Sequence, residues 1–346
     1  MNKWSRKKTG DRTAAKLLVI IAAVLVVMSL MMPGVFFSVK NFKSMAFQFP
    51  EFGIFAIAMA LAMMTGGCDL SIVSVGNLAA ILSGSFLLKM AGHADGGRMW
   101  LVILAAFCIA LLTGMAAGLF NGLCIAGIGI PPILTTLGTM QLFAGIGIVV
   151  TKGTSLYSFP EQLNRLGNGY LFGFLPIPAV LFFLVVGLLI FLIQKCSFGM
   201  KLYMIGTNAR AAEFSGADNR KIVIRSYMLS GILAAAAGFI ILARTNSANA
   251  DYGGNYIIQS MLVAIMGGVD PKGGKGKVTG IVLAVFTLQL LSSGLNMMNV
   301  SSYFKQLVYG ALLLSMIITN TFPIWESWKK IINKIHCKSL QKGDIT

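Results

Sequence analysis

Residues 99–151 run for 53 positions without one Asp, Glu, Lys or Arg. A helix needs roughly 20 residues to cross a bilayer, so this stretch alone holds two crossings and the turn between them. The whole chain is 56% hydrophobic and only 11% charged, where a soluble domain carries about 25% charge. Its mean hydropathy is +0.80. At 346 residues the length would suggest two soluble domains, but the apolar runs overrule that prior. The pattern predicts an all-α, polytopic membrane protein.

Ten apolar blocks can be marked, at 16–36, 51–67, 71–89, 99–122, 131–151, 176–194, 226–243, 257–269, 278–297 and 303–322. With both termini placed in the cytoplasm, the inner segments 1–16, 195–225, 270–277 and 323–346 hold 20 of the 28 Lys and Arg residues. That is the positive-inside bias, and it accounts for the net charge of +17. No basic stripe is interleaved with aromatics, so a nucleic-acid partner is excluded. The organisation predicted is a basic cytoplasmic tail (1–16), a transmembrane domain (17–322) and a second basic tail (323–346). A secretory signal would have a shorter apolar region and a small-residue cleavage site. The run from Leu17 to Met32, followed by Pro33-Gly34-Val35-Phe36, predicts an uncleaved first span instead.

Cys68, Cys108, Cys124, Cys196 and Cys337 show no CxxC spacing, so neither a disulfide nor a metal site is expected. His93 and His336 are the only histidines. No HExxH, no GxSxG and no carboxylate pair falls within a span, so an enzyme is not expected and no cofactor is implied. The run 267–280 imitates a phosphate loop, but Lys272 and Lys275 precede glycine and Lys277 precedes valine. It never satisfies GxxxxGK[ST].

Polar residues inside apolar blocks point to a pathway. In Gly66-Gly67-Cys68-Asp69-Leu70-Ser71, the acid stands at the edge of an uncharged region. An acid held in hydrocarbon costs at least about 2.5 kcal/mol and usually faces a cavity or a partner. Ser71, Ser74 and Asn77 follow at near-helical spacing and could line a route for a polar solute. Asp69 could equally open the next helix by accepting backbone N–H bonds. Asn121 carries an amide that must find a partner in hydrocarbon. The preceding Gly114, Gly118 and Gly122 form overlapping GxxxG patterns, a packing signal. Between Asn121 and Pro132 the glycines and prolines forbid one continuous helix. The block 71–89, rich in Ser, Gly and Asn, is expected to be broken or tilted. Beyond Pro131 and Pro132, the residues Thr135, Thr136, Thr139 and Gln141 dot an apolar helix. Such hydroxyls also bond back to their own helix. A weak echo relates Gly66-Gly67-Cys68-Asp69 to Gly267-Gly268-Val269-Asp270, 201 residues later.

The segment 195–225 carries six basic residues and two acidic ones. Within it, Asn208 or Thr207 can cap a short helix that Gly216 ends, and Asp218 or Asn219 can cap the next. Ala211, Ala212, Ser215 and Gly216 would form a small face able to sit in a groove on a cytoplasmic partner, with Glu213 beside it.

Taken in order, these stretches resemble the ribose/galactose/arabinose-type permeases of bacterial ABC importers and the related autoinducer-2 permeases. The matching segments are 66–77, 118–122, 129–140, 206–216, 267–280 and 293–296. One departure is that the family reads GGIDLSVGS, whereas here Cys68 replaces the aliphatic residue and Ile72-Val73-Ser74 replaces Val-Gly-Ser. The resemblance implies a multi-pass subunit of the bacterial inner membrane. It would pair with a second permease subunit, identical or paralogous. Cytoplasmic ATPase subunits would supply the energy, and an extracellular solute-binding protein would deliver a monosaccharide. Nucleosides, autoinducer-2 or branched-chain amino acids are the alternatives in the same superfamily. A stand-alone carrier or channel is the alternative outside it. The expected pathway residues are Asp69, Ser71, Ser74, Asn77, Asn121, Thr135, Thr136 and Gln141. The expected ATPase-coupling residues are Asn208, Ala211, Ala212, Glu213, Ser215 and Gly216.

Overall fold

The computed structural model describes residues 3–92 and 96–321. His93 and the basic tail 323–346, with His336 and Cys337, lie outside the described residues. Among the described residues the architecture is a bundle of helices with four two-residue strands. The helices are α1 (Lys3–Met31), α2 (Pro33–Phe36), α3 (Val39–Met64), α4 (Ile72–Ala91), α5 (Gly96–Leu123), α6 (Pro132–Thr151), α7 (Glu161–Asn168), α8 (Ile177–Gln194), α9 (Ser197–Thr207), α10 (Ala209–Phe214), α11 (Asn219–Thr245), α12 (Tyr256–Met266), α13 (Val278–Met297) and α14 (Ser302–Thr321). Eight are long and apolar enough to span a bilayer, and α12 and α14 supply two shorter apolar segments. This is the polytopic all-α fold expected.

Three local expectations change or sharpen. The block beginning at 51 is part of a longer helix: Ser38 caps α3 by accepting the Asn41 N–H at 3.2 Å, and the helix runs on through Pro50. The Ser- and Gly-rich block 71–89 is one unbroken helix, α4; its small residues allow close neighbours rather than a kink. The break after Asn121 is real. α5 loosens into a π-turn at Cys124–Ile128, Gly129 takes φ +89° to end it, and Pro132 starts α6 where its missing N–H costs nothing. The helix α12 has only 11 residues, about 16 Å of rise, too little for the hydrocarbon core. It halts at Gly267, and the glycine-rich loop carries the chain to α13.

Helix α11 is the central post, packed on α3, α4 and α5. Its approach to α5 is backbone against backbone. A Cβ on Gly118 would strike the Tyr227 carbonyl, and one on Gly231 would strike the Gly114 carbonyl. Such contacts replace a hydrophobic drive that lipid does not provide. We therefore expect Gly231→Leu to lower stability by about 3 kcal/mol or more. Gly187→Leu, at an exposed helical position where a Cβ meets nothing, should leave it unchanged. Thermal unfolding of the detergent-solubilised protein measures both.

Loop contacts define two ends of the bundle. At one end the α12–α13 loop touches the ends of α3 and α9, with the Gly274 N–H donating to the Met64 carbonyl at 3.0 Å. At the other end Leu156–Tyr157 pairs antiparallel with Ser247–Ala248, and Tyr170–Leu171 pairs with Leu175–Pro176. The segments rich in Lys and Arg, 195–225 and 270–277, share the first end.

Candidate functional site

The α3–α4 joint is a polar knot enclosed by three other helices. Gly66, at φ +87°, turns the chain out of α3. Asp69 is 1% exposed. Its Oδ1 accepts the Ser71 N–H at 3.1 Å and the Ser71 hydroxyl at 2.7 Å. Its Oδ2 accepts the Ser230 hydroxyl of α11 at 2.9 Å. The Asn121 amide of α5 donates to Ser71 Oγ at 2.8 Å, and Thr136 of α6 donates to the Cys68 carbonyl at 3.0 Å. Asp69 makes a local turn just ahead of α4, whose N-cap Ser71 carries no side-chain capping bond, and ties the joint to α11. Among the described residues no Lys or Arg is paired with it. The buried Asn121 Oδ1, Tyr227 hydroxyl and Thr135 Oγ1 have no partner among the described residues. A buried polar group without a partner costs about 1–3 kcal/mol, so the knot is not fully closed in hydrogen-bonding terms.

The remaining expected pathway residues are more scattered. Ser74 and Asn77 are buried on the same face as Ser71, but that face meets protein. The Asn77 amide donates to the Ala250 and Tyr252 carbonyls, each at 2.8 Å, and so pins the α11–α12 loop onto α4. Thr136 also bonds back to the Pro132 carbonyl at 2.9 Å. Gln141 lies on an exposed face of α6, away from the knot.

In the basic segment 195–225 the caps fall where expected. Asn208 Oδ1 accepts the Ala211 N–H at 3.1 Å, and Asp218 Oδ1 accepts the Lys221 N–H at 3.0 Å. The Lys221 N–H, foremost, holds the exposed Asp218 carboxyl below its usual range. Gly216 takes φ +81° directly after the short α10. The residues expected to form a docking face do not all face outward. Ala212 is 1% exposed and packs into the core, whereas Asn208, which caps the helix, is exposed. Ala211, Glu213, Ser215 and Gly216 are exposed. Phe214, outside the expected set, is 93% exposed. The base of the loop is locked to the joint. A Cβ on Gly206, near the end of α9, would strike both the Met64 carbonyl and Gly274. Tyr203 donates to the Gly276 carbonyl at 2.7 Å. The phosphate-loop look-alike is therefore a packing piece between α3 and α9.

The sequence reading missed a second buried centre. Glu51 of α3, 1% exposed, receives both Arg244 Nε and Arg244 Nη2 of α11, the latter at 3.0 Å. It also accepts the Tyr256 hydroxyl at 2.9 Å. A signal existed: Arg244 is the only charged residue between 226 and 250, and Glu51 opens an apolar block. Paired intramembrane charges of opposite sign mark such sites.

Among the described residues, eight long apolar helices and two shorter ones wrap around buried polar joints and define a multi-pass membrane protein. The chain belongs to the branched-chain amino acid transport system / permease component family, whose model matches residues 41–317. It is 30% identical over 297 residues to the ribose import permease protein of Bacillus subtilis strain 168, covering 85% of this chain and 88% of the relative. It is 29% identical to the autoinducer 2 import system permease protein LsrD of Enterobacter sp. strain 638, covering 84% and 87%. The Haemophilus influenzae ribose import permease is 27% identical, covering 90% and 93%. No solved structure matches the chain. The chain is a multi-pass inner-membrane protein and its relatives are transport subunits.

Proposed function

We propose that this chain is the transmembrane subunit of a bacterial ABC importer for a small polar solute, a monosaccharide of the ribose or galactose type. ATP is hydrolysed by separate cytoplasmic subunits. A second permease subunit completes the channel, and a binding protein delivers solute from the other side. The observation that carries this reading is the glycine contact between α9 and the end of α3. A push on α10 moves α9, and the Gly206 backbone abuts Met64, five residues before Asp69. With no side chain between them, displacement of one shifts the other. The knot of Asp69, Ser71, Asn121 and Thr136 is then the element that loosens to admit solute. Ser74, Asn77, Thr135 and Gln141 belong to the helices that move with it.

Relatives are named for ribose import and for autoinducer 2 import, which supports a small polar solute. The family description names branched-chain amino acids, so the assay includes both. In proteoliposomes holding the permease with its ATPase and binding protein, we expect ATP-dependent accumulation of labelled D-ribose or D-galactose and none of L-leucine. Accumulation of leucine alone would replace the sugar reading with the amino-acid one.

A further inference from the structure

We propose that the permease itself holds a neutral, polyhydroxylated solute in a cavity beside the Glu51–Arg244 pair; this rests on the importer reading above. The cavity measures about 150 Å³ and lies between α3, α11, α12, α13 and α14. A single water needs only about 10–15 Å³ on this measure, so a small molecule fits. The cavity adjoins the last turn of α11, at the end of the bundle opposite the α9–α10 loop. That is the end at which a solute from outside the cell arrives.

The lining defines the chemistry. Gln48, Gln259 and Gln289 bring three carboxamides, and Tyr256 and Tyr309 bring ring walls. The Gln289 amide reaches Gln48 Oε1 only at 3.5 Å, the outer limit of a hydrogen bond. No hydrogen bond to protein engages the Gln259 carboxamide among the described residues. Each carboxamide offers two donors and two acceptor lone pairs, the complement of hydroxyl groups that both give and accept. The one charged residue of the lining, Arg244, is already neutralised by the buried Glu51. An anion would have to compete with that carboxylate and a cation would meet the guanidinium. A neutral polyol displaces neither. Polar groups in a few fixed places among apolar and aromatic walls are what a small-molecule site requires.

The test uses the complete importer in proteoliposomes, with labelled D-ribose, D-galactose and L-leucine as probes. Gln259→Leu and Gln289→Leu remove hydrogen-bonding capacity that the fold scarcely uses, so both should fold. For the sugar that the wild type carries, each should lower the initial uptake rate at least tenfold, with the thermal midpoint and the ATPase rate kept. Equilibrium dialysis of that sugar against the permease alone in nanodiscs is the second readout. The wild type should retain it, Gln259→Leu should not, and ribose 5-phosphate should fail to compete. Sugar uptake by both variants within twofold of wild type, or equal retention in dialysis, overturns the cavity site while the importer reading stands. A wild type that carries leucine and no sugar overturns both.

Discussion

Phe214→Ala should reduce ATP-driven uptake at least 30-fold while leaving the folded permease unchanged. The side chain is 93% exposed at the tip of the loop, so truncating it removes almost no internal packing. A surface change of this kind usually moves stability by less than about 0.5 kcal/mol. If α10 docks on a partner, Phe214 is its one exposed aromatic, and aromatic anchors dominate partner interfaces at about 2 kcal/mol or more each. Two kcal/mol is roughly 30-fold in affinity. Co-purification with the ATPase subunit and solute uptake should therefore fall together, with the thermal midpoint unmoved. Ala212→Leu is the contrasting variant. Ala212 is buried against the core, so its enlargement should lower the midpoint itself. Normal uptake by Phe214→Ala would remove α10 as the docking element.

Glu51→Ala should destabilise the permease by about 3–5 kcal/mol, because it strands Arg244 against α3. The Glu51 carboxylate is 1% exposed and the Arg244 side chain 28%, so solvent screens the pair only weakly. Replacing both partners with apolar residues of similar size is far less costly than removing one. The double variant Glu51→Leu/Arg244→Met should thus recover much of what either single change loses. Thermal unfolding of the wild type, Glu51→Leu, Arg244→Met and the double variant closes the cycle. Effects that simply add would mean that the two side chains do not depend on each other. Tyr256→Phe, which removes one donor to Glu51, should cost only about 1–3 kcal/mol.

What could be read from the amino acids followed the physics of each feature. Long uncharged runs are unambiguous in a bilayer, so the all-α, multi-pass architecture was legible. So was the break before Pro132, because proline and glycine act locally. The caps at Asn208 and Asp218 were legible for the same reason. The direction in which a residue faces was harder. Ala212 and Phe214 are two positions apart, and only the packing of α10 on its neighbours puts one inside and the other out. Helix α4 looked broken by composition, yet its small residues serve close contact: a Cβ on Gly238 of α11 would strike the Gly76 carbonyl. Asn77 could be placed on the face of Ser71, but its carbonyl partners lie 173 and 175 residues away. The pairing of Glu51 with Arg244 spans 193 residues, and no local spacing rule reaches across that distance. Asp69 was found because a lone acid beside hydrocarbon is conspicuous; its hydroxyl partner on α11 was not.

Uptake by this polypeptide alone, compared with uptake after the ATPase subunits are added, tests the account most directly. With the permease and binding protein in sealed proteoliposomes, labelled sugar should not accumulate even with ATP present. Adding the ATPase should start accumulation, and Phe214→Ala should stop it again. Concentrative uptake by the permease without any ATPase would contradict the account.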